Sequence, residues 1–211
     1  MHNRTDTAAG IDAGYKYQVG SGKHLDDMLN MNALSRMIED FCSVTGLMVD
    51  IIDRKSGEIV IAEGMQKVCA TFHRDCPASE LSCKSAMDMR RDDSQPVSIK
   101  TNCDLGLSMA FSSVTVAGEV VADMFIGPVL LAPVTLDQMK AVAKTVGIDA
   151  GSYHRLMGEV SVVGPADLQK ALCGLTEAVR LLAEAGSDEE AKTLAAYKAL
   201  FMAKRGLLKD S

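Results

Sequence analysis

No tryptophan occurs in the 211 residues, and aromatic side chains make up only 4% of them. A core with so few rings has to be aliphatic, and the 13 methionines supply flexible, polarizable filler for it. No cluster of Lys and Arg stands out and the formal net charge is -6. That argues against direct nucleic-acid binding, because neutralising phosphates takes a concentrated basic patch. The opening residues MHNRTDTAAGIDAG lack the apolar stretch of a signal peptide, so a cytoplasmic location is expected. Long hydrophobic runs are missing too. VVADMFIGPVLLAPV holds Asp123 and two prolines and falls short of the roughly 18 to 20 residues of a membrane helix, so no membrane span is expected. A Gly-x-Ser-x-Gly elbow, a phosphate loop and a dinucleotide fingerprint are all absent. Catalysis is left without a candidate site, and the chain is not expected to be an enzyme.

What is present reads as one α+β domain. Residues 1–24 mix Gly, Ser, Thr and charge without periodicity and are expected to form a loose arm. In the next segment Leu34, Met37, Ile38, Phe41 and Cys42 recur at helical spacing, with Gly46 as a stop. Cys42 on that stripe reads as a packed core residue. LMVDIID and EIVIAE are β-branched runs joined by a polar turn that ends in Gly57, which predicts a hairpin. Residues 65–93 read as two short helices broken at Pro77. PVSIKT, GLSMAFSSVTV and EVVADMFIGPVLL then give three more strands, the last two joined by a tight turn at Ala117 and Gly118. The fold expected is therefore a five-stranded sheet with helices inserted between the second and third strands, followed by a helical extension.

In that extension, TLDQMKAVAKTVG predicts an amphipathic helix starting near Thr135. A longer helix over 164–185 carries Leu168, Leu172, Leu175, Val179 and Leu182 at intervals of four and three. Such a short heptad seam suits packing on the chain's own sheet or pairing with a second copy; a homodimer through helices 164–185 and 187–207 is expected. Ser187 and Glu190 read as a capping box for the last helix, so residues 186–211 form an output or dimerisation segment.

Cysteine is the unusual component. Cys69, Cys76 and Cys83 recur every seven residues in VCATFHRDCPASELSCK, and Cys103 follows. In a reducing compartment structural disulfides are disfavoured, which leaves metal binding, redox sensing or burial. Residues at i and i+7 of one helix lie about 10.5 Å apart along its axis, too far for two ligands of one ion. Only a chain reversal at Pro77 would let Cys69 and Cys83 converge, with Cys103 meeting them from the sheet. The spacing is not that of a zinc ribbon or knuckle. His73, between Phe72 and Arg74, reads either as a packed histidine or as a ligand.

VCATFHRDCPASELSCKSAMD and NCDLGLSMAFSSVTVAGEVVADMFIGPVLLAP resemble the PocR sensory domain over residues 25–185. The resemblance rests on Cys69, Phe72, His73, Arg74, Cys83, Asp88, Cys103, Gly106, Leu107, Gly118 and Gly127. It implies a PAS-like ligand-binding module with a five-stranded antiparallel sheet, of a kind fused to histidine kinases or transcription regulators and thought to sense small hydrocarbon derivatives such as diols. Cys76 falls outside the shared cysteines. Where the family pattern has Asp, proline and Gly-Gln, this chain has Met109, Ser113 and Gly127-Pro128. Each polar group lost from a diol site would cost about 1 to 3 kcal/mol, so a less polar ligand, or one that is not an organic metabolite, is expected.

Two readings follow. In the first, a small-molecule ligand occupies a pocket walled by Phe72, Met109, Phe111 and Phe125, with His73 and Cys103 as polar contacts, and occupancy passes through the C-terminal helices. In the second, Cys69, Cys83 and Cys103, completed by Cys76 or His73, hold zinc or an iron-sulfur cluster, or act as a redox sensor.

Overall fold

The computed structural model describes residues 24–75, 97–101 and 103–185, with Thr193, Tyr197 and Lys198 beyond them; the side chains of 72–75 and 185 lie outside the description. The expected break at Pro77, the helix after it, the Ser187 cap and the N-terminal arm up to residue 23 all fall outside the described residues.

A single 3₁₀ turn, Leu25–Asp27, leads into helix α1, Met31–Thr45. Asn30 caps α1 by accepting from the backbone N–H groups of Asn32 and Ala33 at 3.0 and 3.2 Å, and Gly46 ends it at φ 68. Its buried stripe is the expected one, Leu34, Met37, Ile38, Phe41 and Cys42. Strands β1, Met48–Asp53, and β2, Ile59–Glu63, form the predicted hairpin. Asp53 holds the turn by accepting from the Ser56 N–H at 2.6 Å and the Lys55 N–H at 3.0 Å. The same carboxylate accepts from the Leu25 N–H at 2.7 Å, which ties the chain entry to the hairpin; burial pushes its pKa up, but the hydrogen bonds from Ser56 and Leu25 outweigh that and hold it below the ordinary carboxylate value.

Helix α2, Lys67–Asp75, follows, and then strands β3, Ser98–Lys100, β4, Ser108–Val116, and β5, Glu119–Val129. The β4–β5 turn has positive φ at both central positions, 50 at Ala117 and 83 at Gly118, the handedness that matches strand twist in a two-residue hairpin. The five strands pair antiparallel in the order β2-β1-β5-β4-β3, the open sheet of a PAS-like sensory fold.

Three more helices follow: α3, Leu136–Val146; α4, Ala150–Met157; and α5, Pro165–Ala185. Thr135 and Gln138 form a reciprocal capping box on α3. Helix α4 was not expected from the sequence. It buries only Tyr153 and Met157, a stripe too short to stand out as periodicity, and it starts at Asp149, which accepts from the Ser152 N–H at 2.8 Å.

One sheet face is filled by α1 and α5. Leu168, Leu172, Leu175 and Val179 are fully buried and Leu182 nearly so, packed with Ala110, Val114, Met124 and Ile126 of β4 and β5. This corrects the expectation for the leucine seam. Its side chains are enclosed in the chain's own core and are not available to pair with a second copy. A second, smaller core lies where α2, α3 and α4 meet the loop before β4, built on Val68, Leu105, Leu107, Leu130, Ala143, Tyr153 and Met157. The Tyr153 hydroxyl donates to the Leu105 carbonyl at 2.8 Å and locks that loop to α4.

Candidate functional site

The sheet face opposite α1 and α5 carries the other half of each strand's alternation. Asp50 and Ile52 of β1 stand opposite Phe125 and Asp123 of β5, and Phe125 stands opposite Phe111 of β4. Phe111 and Phe125 meet with ring centroids 5.1 Å apart and planes tilted by 47°. Ile52 and the half-buried Met109 close the cluster. Three residues expected in a pocket wall, Met109, Phe111 and Phe125, are thereby brought together.

Two carboxyl groups share this face and are treated differently. Asp123 is fully buried but well held: it accepts from the Ser113 hydroxyl at 2.8 Å and pairs with the Arg54 guanidinium at 3.4 Å. Asp50 is 5% exposed and makes no hydrogen bond or ion pair among the described residues. Burial alone pushes its carboxyl up from 3.8 to about 7, since no donor offsets the lost hydration.

The cysteines sit at the edge of this arrangement. Cys69 on α2 and Cys103 in the loop after β3 are half-buried and pack on the second core, not on the phenylalanine cluster. Burial pushes the Cys69 thiol up to about 12, reinforced by its neighbours Cys103 and Asp50. With no metal bound, Cys69 therefore stays a thiol at neutral pH and is a poor nucleophile. Among the described residues no three His, Cys, Asp or Glu side chains converge on a point that could hold a metal ion. Cys76, Cys83 and the side chains of Phe72 and His73 lie outside the described residues; the backbone places Phe72 and His73 in the last turns of α2.

The chain matches the family described as the sensory domain found in PocR over residues 27–187. It belongs to the PocR sensory-domain family. No curated protein and no solved structure matches it. In this PocR domain Gly127, one of the resemblance positions, sits at φ 139 where β5 crosses closest to β4. A Cβ there would lie 2.9 Å from the Ser108 carbonyl oxygen, so only glycine lets the two strands meet beside Met109.

Two open cavities are formed by described residues of the PocR domain, and neither is the expected pocket. One of about 330 Å³ lies between Leu105, Leu130, Val134, Gln138 and Tyr153, beside the second core. The other, of about 240 Å³, lies between Gly64, Gln66, Lys67 and Glu159. Sequence reasoning missed Asp50. The signal was present, an acidic residue inside the β-branched run LMVDIID, but without the sheet it could equally have faced water. No helix among the described residues is long and apolar enough to cross a membrane.

Proposed function

We propose that this PocR domain is a non-catalytic sensor that binds a small organic ligand against the sheet face of Met109, Phe111 and Phe125. The observation that supports the reading is the gathering of those three side chains with Ile52 on the sheet face opposite α1 and α5. An apolar wall with a few polar groups at its margin is the usual make-up of a small-molecule site. Phe72 and His73 at the end of α2 complete the proposed contacts, whereas Cys103 packs on the second core and is left out of them. Occupancy would reach α5 through β4 and β5, whose other face packs on Leu168, Leu172 and Leu175. The receiver would be a histidine kinase or a transcription regulator in the cytoplasm. A homodimer would have to use surfaces other than the buried seam.

The second reading, a zinc, iron-sulfur or redox centre on Cys69, Cys83 and Cys103, draws support from the proximity of Cys69 and Cys103. Metal analysis and a visible spectrum of anaerobically purified protein separate the two. Metal-free, colourless protein that is stabilised against heat by members of a small-molecule library supports the first. Stoichiometric zinc or iron, lost in Cys69→Ser and Cys103→Ser alike, replaces it with the second.

A further inference from the structure

Asp50 is a buried carboxyl on the candidate face that makes no hydrogen bond or ion pair among the described residues. It lies in the middle of β1, a strand flanked on both sides, between Ala62 of β2 and Phe125 of β5. Directly opposite residues in an antiparallel pair hold their Cβ atoms about 4.5 to 5.5 Å apart, so Asp50 and Phe125 are side-chain neighbours on this face, and the Phe125 ring in turn packs tilted against Phe111. Native proteins rarely leave a buried carboxyl without a hydrogen-bond donor, and such a group on the wall of a binding face points to a ligand that supplies one. The cation on the adjacent turn, Arg54, is engaged with Asp123. Among the described residues the thiols of Cys69 and Cys42 also lie near Asp50, and they carry no positive charge.

Resting on the ligand-binding reading above, we propose that Asp50 anchors the ligand and that the ligand is a small aliphatic amine bound as its ammonium ion. An ammonium group both donates to the carboxylate and neutralises it, which a hydroxyl does not, and charge-assisted hydrogen bonds of this kind are roughly twice as strong as neutral ones. The Phe125 and Phe111 rings suit the same cation, since the face of an aromatic ring attracts positive charge, and they cover the alkyl part of the ligand as well. A ligand carrying its own carboxylate would meet Asp50 and Asp123 on one face and be repelled.

The test uses the full chain and three probes of matched size: propylamine, propane-1,2-diol and propionate, each titrated by calorimetry and by thermal shift into wild type and Asp50→Asn. Propylamine should bind wild type and raise its melting temperature, and Asp50→Asn should weaken that binding at least tenfold. The ¹³C resonance of the Asp50 carboxyl in wild type should move on adding propylamine, which gives the answer even if the variant folds poorly. Binding of propane-1,2-diol or propionate without propylamine overturns the amine proposal and leaves the sensor reading standing. Propylamine binding that Asp50→Asn retains overturns Asp50 as the anchor. Silence from all three probes in protein that carries stoichiometric metal overturns both the proposal and the reading beneath it.

Discussion

Replacing Asp50 by Asn should stabilise the protein at pH 8 and lose that advantage in acid. The carboxyl titrates near 3.8 when unfolded and at about 7 in the fold, raised by burial with no hydrogen bond in compensation. Between those values the native state holds a proton that the unfolded chain has released, so stability falls as pH rises through the window and levels off above about 7. Three units at about 1.4 kcal/mol each set a ceiling of about 4 kcal/mol for the penalty. Relaxation and water entry around a buried ion reduce such penalties, so about 2 kcal/mol is the expected size. Asparagine has nearly the same shape, cannot ionise, and leaves a neutral buried amide comparable to the protonated acid. The measurement is urea denaturation of both proteins at half-unit steps from pH 4 to pH 8. Taking the difference between the two curves cancels groups that titrate in both, including Asp53, whose depressed value acts in the opposite sense. For a chain of this size about 2 kcal/mol corresponds to roughly 4 to 8 °C in melting temperature. Parallel curves across the range, or a variant that loses stability at pH 8, would show that Asp50 is partnered or hydrated in solution and would refute the reasoning.

Leu175→Ala, at a fully buried position of α5, should cost about 2 to 5 kcal/mol in unfolding free energy while leaving the mass measured by light scattering unchanged; a shift in oligomeric mass without destabilisation would restore the seam to a dimer interface. Gly127→Ala combines a backbone at φ 139 with a 2.9 Å approach to the Ser108 carbonyl, and should destabilise by about 3 kcal/mol or more, whereas Gly106→Ala, with no atom within 4 Å, should cost only the strain of its positive φ, about 1 kcal/mol; equal losses would contradict the close approach. Cys69 in wild type should react with iodoacetamide at neutral pH far more slowly than the exposed Cys173, as read by peptide mass spectrometry; comparable rates would mean that its thiol is not held protonated by burial.

Local chemistry was enough to determine much of this fold. The β4–β5 hairpin was legible because Ala117-Gly118 interrupts two alternating runs, and the turn has the positive φ values a two-residue connection needs. Helix α1 could be read to the residue on its buried stripe, since five apolar positions at helical spacing admit one face. The grouping of Met109, Phe111 and Phe125 came from the resemblance together with strand alternation. Three things required the tertiary structure. Helix α4 declares itself by only two buried residues, whose importance depends on the Leu105 loop they hold. The leucine seam has the same spacing whether it meets a sheet or a second chain, and only the position of β4 and β5 makes it internal. Asp50 and Asp123 are the same side chain in similar apolar strands. A sequence cannot say that Asp123 meets Ser113 and Arg54 while Asp50 is paired across the sheet with Phe125 and finds no partner among the described residues, because hydration and pairing are set by neighbours that lie far away along the chain.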